Sequence, residues 1–142
     1  MRVLGIDVGE RRVGLAVSDR SRTLARPHTT LTVRGAGDAV TRVVQEIARL
    51  SQEEDGLIQI VVGLPTRLDG LPNEQTARVA AFVDALRART NLAIARQDER
   101  LTSREAESRL ALCERDWRRR KARLDAAAAA VILQDYLDRE GR

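Results

Sequence analysis

The sequence predicts an α/β fold, a mixed five-stranded sheet with flanking helices, in the order βββαβαβα followed by a final helix. Three observations predict it. The chain opens with two apolar runs, 3–7 and 12–18, joined by a linker short enough for a hairpin. Further on, near-continuous apolar runs alternate with stretches of helical period, as partly parallel strands joined by helices require. Aromatics are only 2% of the 142 residues against 43% hydrophobic, so the core is Val, Leu, Ile and Ala. That composition suits a sheet covered by helices, and the length suits a single domain over 1–142.

The elements follow in order. Residues 3–7 read as a buried strand ending in Asp7, and Gly9 is expected to supply an unusual backbone angle at the turn. In the second strand Val13, Leu15 and Val17 alternate with Gly14, Ala16 and Ser18, which is strand period. The small face leaves clearance beside Asp7. Thr23–Arg34 reads as a third strand interrupted by Pro27. Asp38 is expected to cap a helix to about Gln52, with Val40, Val43, Val44 and Ile47 on its core stripe. Leu57–Val62 is a central strand closed by Gly63-Leu64-Pro65, and Asp69-Gly70 marks a turn. Asn73 can cap a helix that buries Val79, Phe82, Val83 and Leu86. Leu92–Ala95 is the fifth strand, ending at Gln97-Asp98-Glu99-Arg100. Thr102-Ser103-Arg104-Glu105 has the form of a capping box and starts another helix. The run Arg118–Arg123 leads into a last, alanine-rich helix that holds Asp125 and frays from Asp138.

Composition narrows the function classes. Twenty-five Lys and Arg against 21 Asp and Glu leave a formal charge of +4, which is compatible with a polyanionic partner. One cysteine, Cys113, excludes an internal disulfide and a cysteine metal cluster. No stretch approaches the roughly 20 apolar residues of a membrane span, and no signal-peptide pattern opens the chain. A soluble cytoplasmic protein is the expectation.

Three carboxylates stand where α/β proteins bind ligands, at strand ends. Asp7 ends the first strand, Glu99 follows the last beside Asp98, and Asp125 lies near the start of the last helix. Convergence of Asp7 and Glu99 is expected if the first and last strands are neighbours. Oxygen-only ligands suit Mg²⁺ or Mn²⁺, and the scarcity of His and Cys argues against zinc. Two such ions about 4 Å apart can activate water and hold the leaving oxygen of a phosphodiester. Each acid also has a blander reading: Asp7 as a turn former, Asp98 and Glu99 as surface partners of Arg100, Asp125 as a helix ion pair with Lys121. Arg118, Arg119, Arg120, Lys121 and Arg123 read either as a solvated helix end or as a phosphate-contacting patch. Trp117 reads as a stacking platform or as a core residue, and His28 is assigned no acid–base work.

Four motifs together make the pattern specific: Leu4-Gly5-Ile6-Asp7-Val8-Gly9 with Arg12-Val13-Gly14-Leu15-Ala16-Val17-Ser18-Asp19; Val62-Gly63-Leu64-Pro65 with Asp69-Gly70; Asp98-Glu99-Arg100-Leu101-Thr102-Ser103-Arg104-Glu105-Ala106; and Lys121, Asp125, Ala128, Ala129, Ile132 and Leu133 in their spacing. End to end, they closely resemble the YqgF family, also called RuvX. The resemblance implies a ribonuclease H-like fold. It implies a nuclease, first described as a Holliday junction resolvase by analogy with RuvC and now as processing the 5′ end of pre-16S rRNA. Asp7, Glu99 and Asp125 would be the metal-binding acids, with Lys121 and the Gly63–Pro65 loop nearby. Many ribonuclease H-like nucleases have four acids, with one at the end of the central strand, where this chain has Gly63-Leu64-Pro65 and no acid.

The leading expectation is therefore a Mg²⁺- or Mn²⁺-dependent nuclease acting on structured RNA, as a monomer or a homodimer, with no membrane partner. The alternatives are a resolvase of four-way DNA junctions, which needs two active sites and hence a dimer, and a non-catalytic RNA-binding assembly factor. A sugar-kinase or actin-like ATPase also opens on an Asp-x-Gly hairpin, but it needs two such lobes and more than twice this length.

Overall fold

The computed structural model describes residues 1–64, 74–98 and 117–140. Along them run β1 (Arg2–Val8), β2 (Arg12–Ser18), β3 (Ala25–Thr32), α1 (Ala36–Ser51), β4 (Leu57–Leu64), α2 (Glu74–Arg87), β5 (Ala93–Asp98) and α3 (Trp117–Glu140). The five strands form one sheet in the order β3-β2-β1-β4-β5. β1, β2 and β3 pair antiparallel, while β4 and β5 run parallel to β1. This is the mixed α/β sheet that the sequence predicts.

Strand alternation divides the core into two layers. Leu4, Ile6, Val13, Leu15, Val17, Ile60 and Val62 face α1 and α2, meeting Val40, Val43, Ile47, Val79, Phe82, Val83 and Leu86. Val3, Ala16 and Val61 face α3, meeting Ala129, Ile132, Leu133 and Leu137. The alanines of α3 allow close approach. A Cβ built on Gly5 would stand 2.8 Å from Cβ of Leu133 and 3.1 Å from the carbonyl oxygen of Ala129. Polar pairs fix the far end of the helix. Gln134 accepts from the Ala25 N–H at 2.9 Å and donates to the Thr23 carbonyl at 2.8 Å, and Gln59 donates to the Tyr136 hydroxyl at 2.9 Å.

Several boundaries differ from expectation. β4 extends through Gly63 and Leu64, and β5 through Asp98, because parallel pairing of Gly63 with Gln97 and Leu64 with Asp98 prolongs both strands. Asp38 is not the N-cap of α1. Gly35 is, and Asp38 sits in the first turn, accepting from the Arg34 N–H at 2.9 Å. Pro27 lies within β3, which tolerates it as an edge strand beside an irregularity at Leu15/Ala16. Gly9 adopts no positive φ; its N–H donates to the Arg12 carbonyl at 2.9 Å, and a Cβ there would come 2.6 Å from that oxygen. α3 already includes the basic run and stays helical to Glu140, so Asp125 lies two turns inside it. The turn at Asp69-Gly70, the cap at Asn73, the helix from Thr102 and Cys113 lie outside the described residues.

His28, expected in a loop, stands on β3 and pairs with Oε1 of Glu46 at 2.8 Å, while Arg49 pairs with the same carboxylate. The hydrogen bond from Arg49 holds the Glu46 carboxyl below its ordinary pKa, assisted by His28 and opposed by partial burial. A depressed native pKa contributes stability that is present above the unfolded value near about 4.3 and is lost as pH falls through the native one. Glu46→Gln should therefore lose less stability than the parent between pH 6 and pH 3. Urea denaturation at the two pH values checks this, and equal losses would refute it.

Candidate active site

Two glycines and a register set the geometry around Asp7. In the β1–β2 ladder Asp7 faces Gly14. In the β1–β4 ladder Ile6 faces Val62, so the next step sets Asp7 beside Gly63. Gly63 in turn faces Gln97. Gly14, Asp7, Gly63 and Gln97 thus form one row across four strands, at the end of the sheet where β1, β4 and β5 finish. By alternation the row faces α3, as Ala16, Val61 and Ala95 do two residues away on three of these strands.

α3 completes the site from above. A Cβ on Gly14 would lie 1.9 Å from the carbonyl oxygen of Asp125 and 2.2 Å from its carbonyl carbon. The backbone of Asp125 therefore rests directly on Gly14. Asp7 is one strand away, a spacing of about 4.8 Å. The clearance expected from the small face of β2 is filled by helix backbone, and its effect is to bring Asp125 over Asp7's neighbour. Asp125 keeps the packing side of α3 with Ala128, Ala129 and Ile132, all buried.

The acid is held by a residue that sequence reasoning did not single out. Nε of Arg12 lies 3.0 Å from Oδ2 of Asp125, with the two side chains only 32% and 25% exposed. This tertiary pair stands where a helix pair with Lys121 was the blander expectation; the side chain of Lys121 lies outside the described residues. The pair borders a groove of about 530 Å³ lined by Gly9, Glu10, Arg11, Arg12, Thr32 and Asp125. A larger groove of about 600 Å³, around Arg2, Asp19 and His28, opens at the opposite end of the sheet and touches none of these acids.

Gln97 is the second residue not singled out. It is buried, 4% exposed, and among the described residues its Nε2 has no hydrogen-bond partner. An unsatisfied buried amide costs about 1–3 kcal/mol. Strand parity with Ala95 could have found it, had β5 not been expected to end there.

The other expected residues divide cleanly. β1 and β5 are not neighbours, because β4 lies between them. Convergence across the sheet therefore spans two strand spacings, about 10 Å, over the side-chain-free Gly63. Glu99 lies outside the described residues, as do the side chains of Trp117, Arg118, Arg119, Arg120 and Arg123, whose backbone forms the first turns of α3. Among the described residues no three His, Cys, Asp or Glu side chains form a metal-binding group. Asp7 and Asp125 are the described part of the expected triad.

The RuvX family model, described as Holliday junction resolvase, matches residues 1–139. The chain belongs to the RuvX family. It is 44% identical over 143 residues to a protein of Salinibacter ruber, covering 99% of this chain and 94% of that one. It is 43% identical over 136 residues to a protein of Chloroflexus aggregans, covering 96% and 92%. Both relatives are named "Putative pre-16S rRNA nuclease". Among solved structures it is similar to Thermus thermophilus RuvC, at 18% identity and a TM-score of 0.57 over 99% of this chain and 97% of that one. The same RuvC in complex with a Holliday junction substrate matches with a TM-score of 0.54, at 18% identity over 99% and 96%. The fold of this RuvX protein is thus ribonuclease H-like. Membership assigns it to the nucleases, hydrolases acting on ester bonds, with nucleic acid as substrate class. Nucleases of this fold use divalent metal ions. The described donors are of the type a hard cation takes: an Asp on β1 and an Asp on α3, at neighbouring backbone positions where Gly14 admits the helix, with no thiol or imidazole in the row.

Proposed function

We propose that this RuvX protein hydrolyses phosphodiester bonds of structured RNA, processing the 5′ end of pre-16S rRNA in the cytoplasm with Mg²⁺ or Mn²⁺. The observation that carries this reading is the seat of Asp125 on Gly14, the cross-strand partner of Asp7. It brings acids from β1 and the last helix to one end of the sheet. Asp7, Asp125 and Glu99, the last only two positions beyond Gln97, would hold the metal. When bound, the metal would activate water and stabilise charge on the phosphoryl oxygens. The chain's own part is to fix the carboxylates: β1 presents Asp7 from a paired strand, and Arg12 and Gly14 hold Asp125 in place. Lys121 and Arg118, Arg119, Arg120 and Arg123, on the first turns of the same helix, would contact the phosphate backbone.

A second reading, resolution of four-way DNA junctions, is favoured by the family description and by the full-length likeness to RuvC. One experiment separates the two. The protein is incubated with Mn²⁺ or Mg²⁺, a precursor 16S rRNA fragment and a synthetic four-way junction, with sedimentation run in parallel. Cutting of the RNA is the expected result. Symmetric cutting of the junction alone, by a dimer, would overturn the RNA assignment. No cutting with either metal would leave an RNA-binding assembly role.

A further inference from the structure

We infer that Arg12 binds a substrate phosphodiester while it holds Asp125, which makes the groove beside it the path by which the nucleic-acid backbone reaches the acids. The inference rests on the nuclease reading of the site and adds to it a residue that the triad does not contain.

The first ground is the unused half of the guanidinium. Arginine presents five N–H donors in a rigid planar fork. Nε of Arg12 stands 3.0 Å from Oδ2 of Asp125 as an ion pair, without the alignment of a hydrogen bond, and among the described residues it is the guanidinium's one ion pair. Its terminal amino groups remain available, and the side chain lines the groove. A guanidinium paired by charge with a carboxylate can take a phosphate on its N–H groups, because the phosphate matches their geometry.

The second ground is electrostatic. Asp7 and Asp125 at one edge repel an approaching phosphate, the more so in the reduced dielectric of a half-buried site. A cation already held between the acid and the groove offsets that repulsion where the substrate must pass. Arg11, exposed on the same groove, balances the exposed carboxylate of Glu10 beside it and leaves Arg12 as the cation next to Asp125.

The third ground is rigidity and size. The Arg12 carbonyl accepts from Gly9 at 2.9 Å and the Arg11 carbonyl accepts from Val33 at 2.8 Å, so the backbone under both arginines is fixed before substrate arrives. At about 530 Å³ the groove falls within the range of sites that enclose small ligands, about 300–1,000 Å³, and so has room for a nucleotide.

The test is fluorescence anisotropy with a 5′-labelled single-stranded RNA oligonucleotide, in EDTA so that neither metal nor turnover contributes, at salt from 50 to 200 mM. Arg12→Gln is expected to weaken binding about tenfold. It should also flatten the slope of log K against log salt by about 0.7, the loss of one phosphate contact on a single strand. Arg12→Lys keeps the charge and the pair with Asp125 but loses the fork. It should retain the slope, bind about threefold more weakly, and keep the fold if Arg12→Gln does not. Arg87→Gln, on the last turn of α2 at the other end of the sheet, should bind as the parent does. If the parent binds and cuts RNA but Arg12→Gln leaves affinity and slope unchanged, the inference fails and the nuclease reading stands. Equal losses in Arg12→Gln and Arg87→Gln would also overturn it, by reducing the contact to general charge. A parent that neither binds nor cuts RNA overturns both.

Discussion

Asp7→Asn is expected to lower the rate of metal-dependent RNA cleavage by about a thousandfold, equivalent to about 4 kcal/mol of transition-state stabilisation. The substitution changes one oxygen for an amide of nearly the same shape. Asp7 is only partly buried, and its strand is paired on both sides by β2 and β4. The fold should therefore survive, with a melting temperature within a few degrees of the parent. What is lost is charge: a neutral amide is a poor ligand for a hard divalent ion. Mn²⁺ affinity measured by calorimetry should fall together with the rate. A variant that binds Mn²⁺ and cuts as the parent does would return Asp7 to the role of a turn residue.

Gly14→Ala should produce the largest loss of stability of any single methyl group in the described structure, about 3 kcal/mol or more. Overpacking ordinarily costs about 1–3 kcal/mol when side chains can give way. Here the new Cβ would stand 1.9 Å from a backbone oxygen of α3, and backbone cannot turn to another rotamer. The helix must lift, which would pull Ala129, Ile132 and Leu133 away from Gly5, Ala16 and Val61. It would also move Asp125 away from Asp7, so cleavage should fail even in the fraction that stays folded. Gly37→Ala is the control. It lies in the first turn of α1 with nothing within 4 Å of its added Cβ, and its stability should stay within about 0.5 kcal/mol of the parent. Urea denaturation of both variants decides the matter. A Gly14→Ala protein within 1 kcal/mol of the parent would mean that α3 does not rest on β2 as described.

The legibility of these features follows the range of the forces behind them. The opening hairpin, the small face carrying Gly14 and Ala16, and the core stripes of α1 and α2 were all readable. Strand parity and helical period are local properties, and burial selects the residue type at each step. Asp7 was readable for the same reason, as a carboxylate closing an apolar run. The extent of β4 and β5 was not, because Gly63, Gln97 and Asp98 carry no strong strand preference. Pairing between the two strands is what prolongs them. The cap of α1 was misread because Asp38 satisfies the Arg34 N–H from within the first turn.

By itself the sequence determined the class of the sheet, the layers, the acid at the end of β1 and the family. Each of these depends on neighbours in the chain or on motifs in order. Only the tertiary structure decided that Asp125 meets Arg12 across the fold, that Gln97 is buried in the row of Asp7 without a hydrogen-bond partner for its Nε2 among the described residues, and that β4 separates β1 from β5. The physical reason is common to all three. An ion pair, an unsatisfied amide and a strand order depend on which surfaces meet across the fold, and no periodicity in the chain records that.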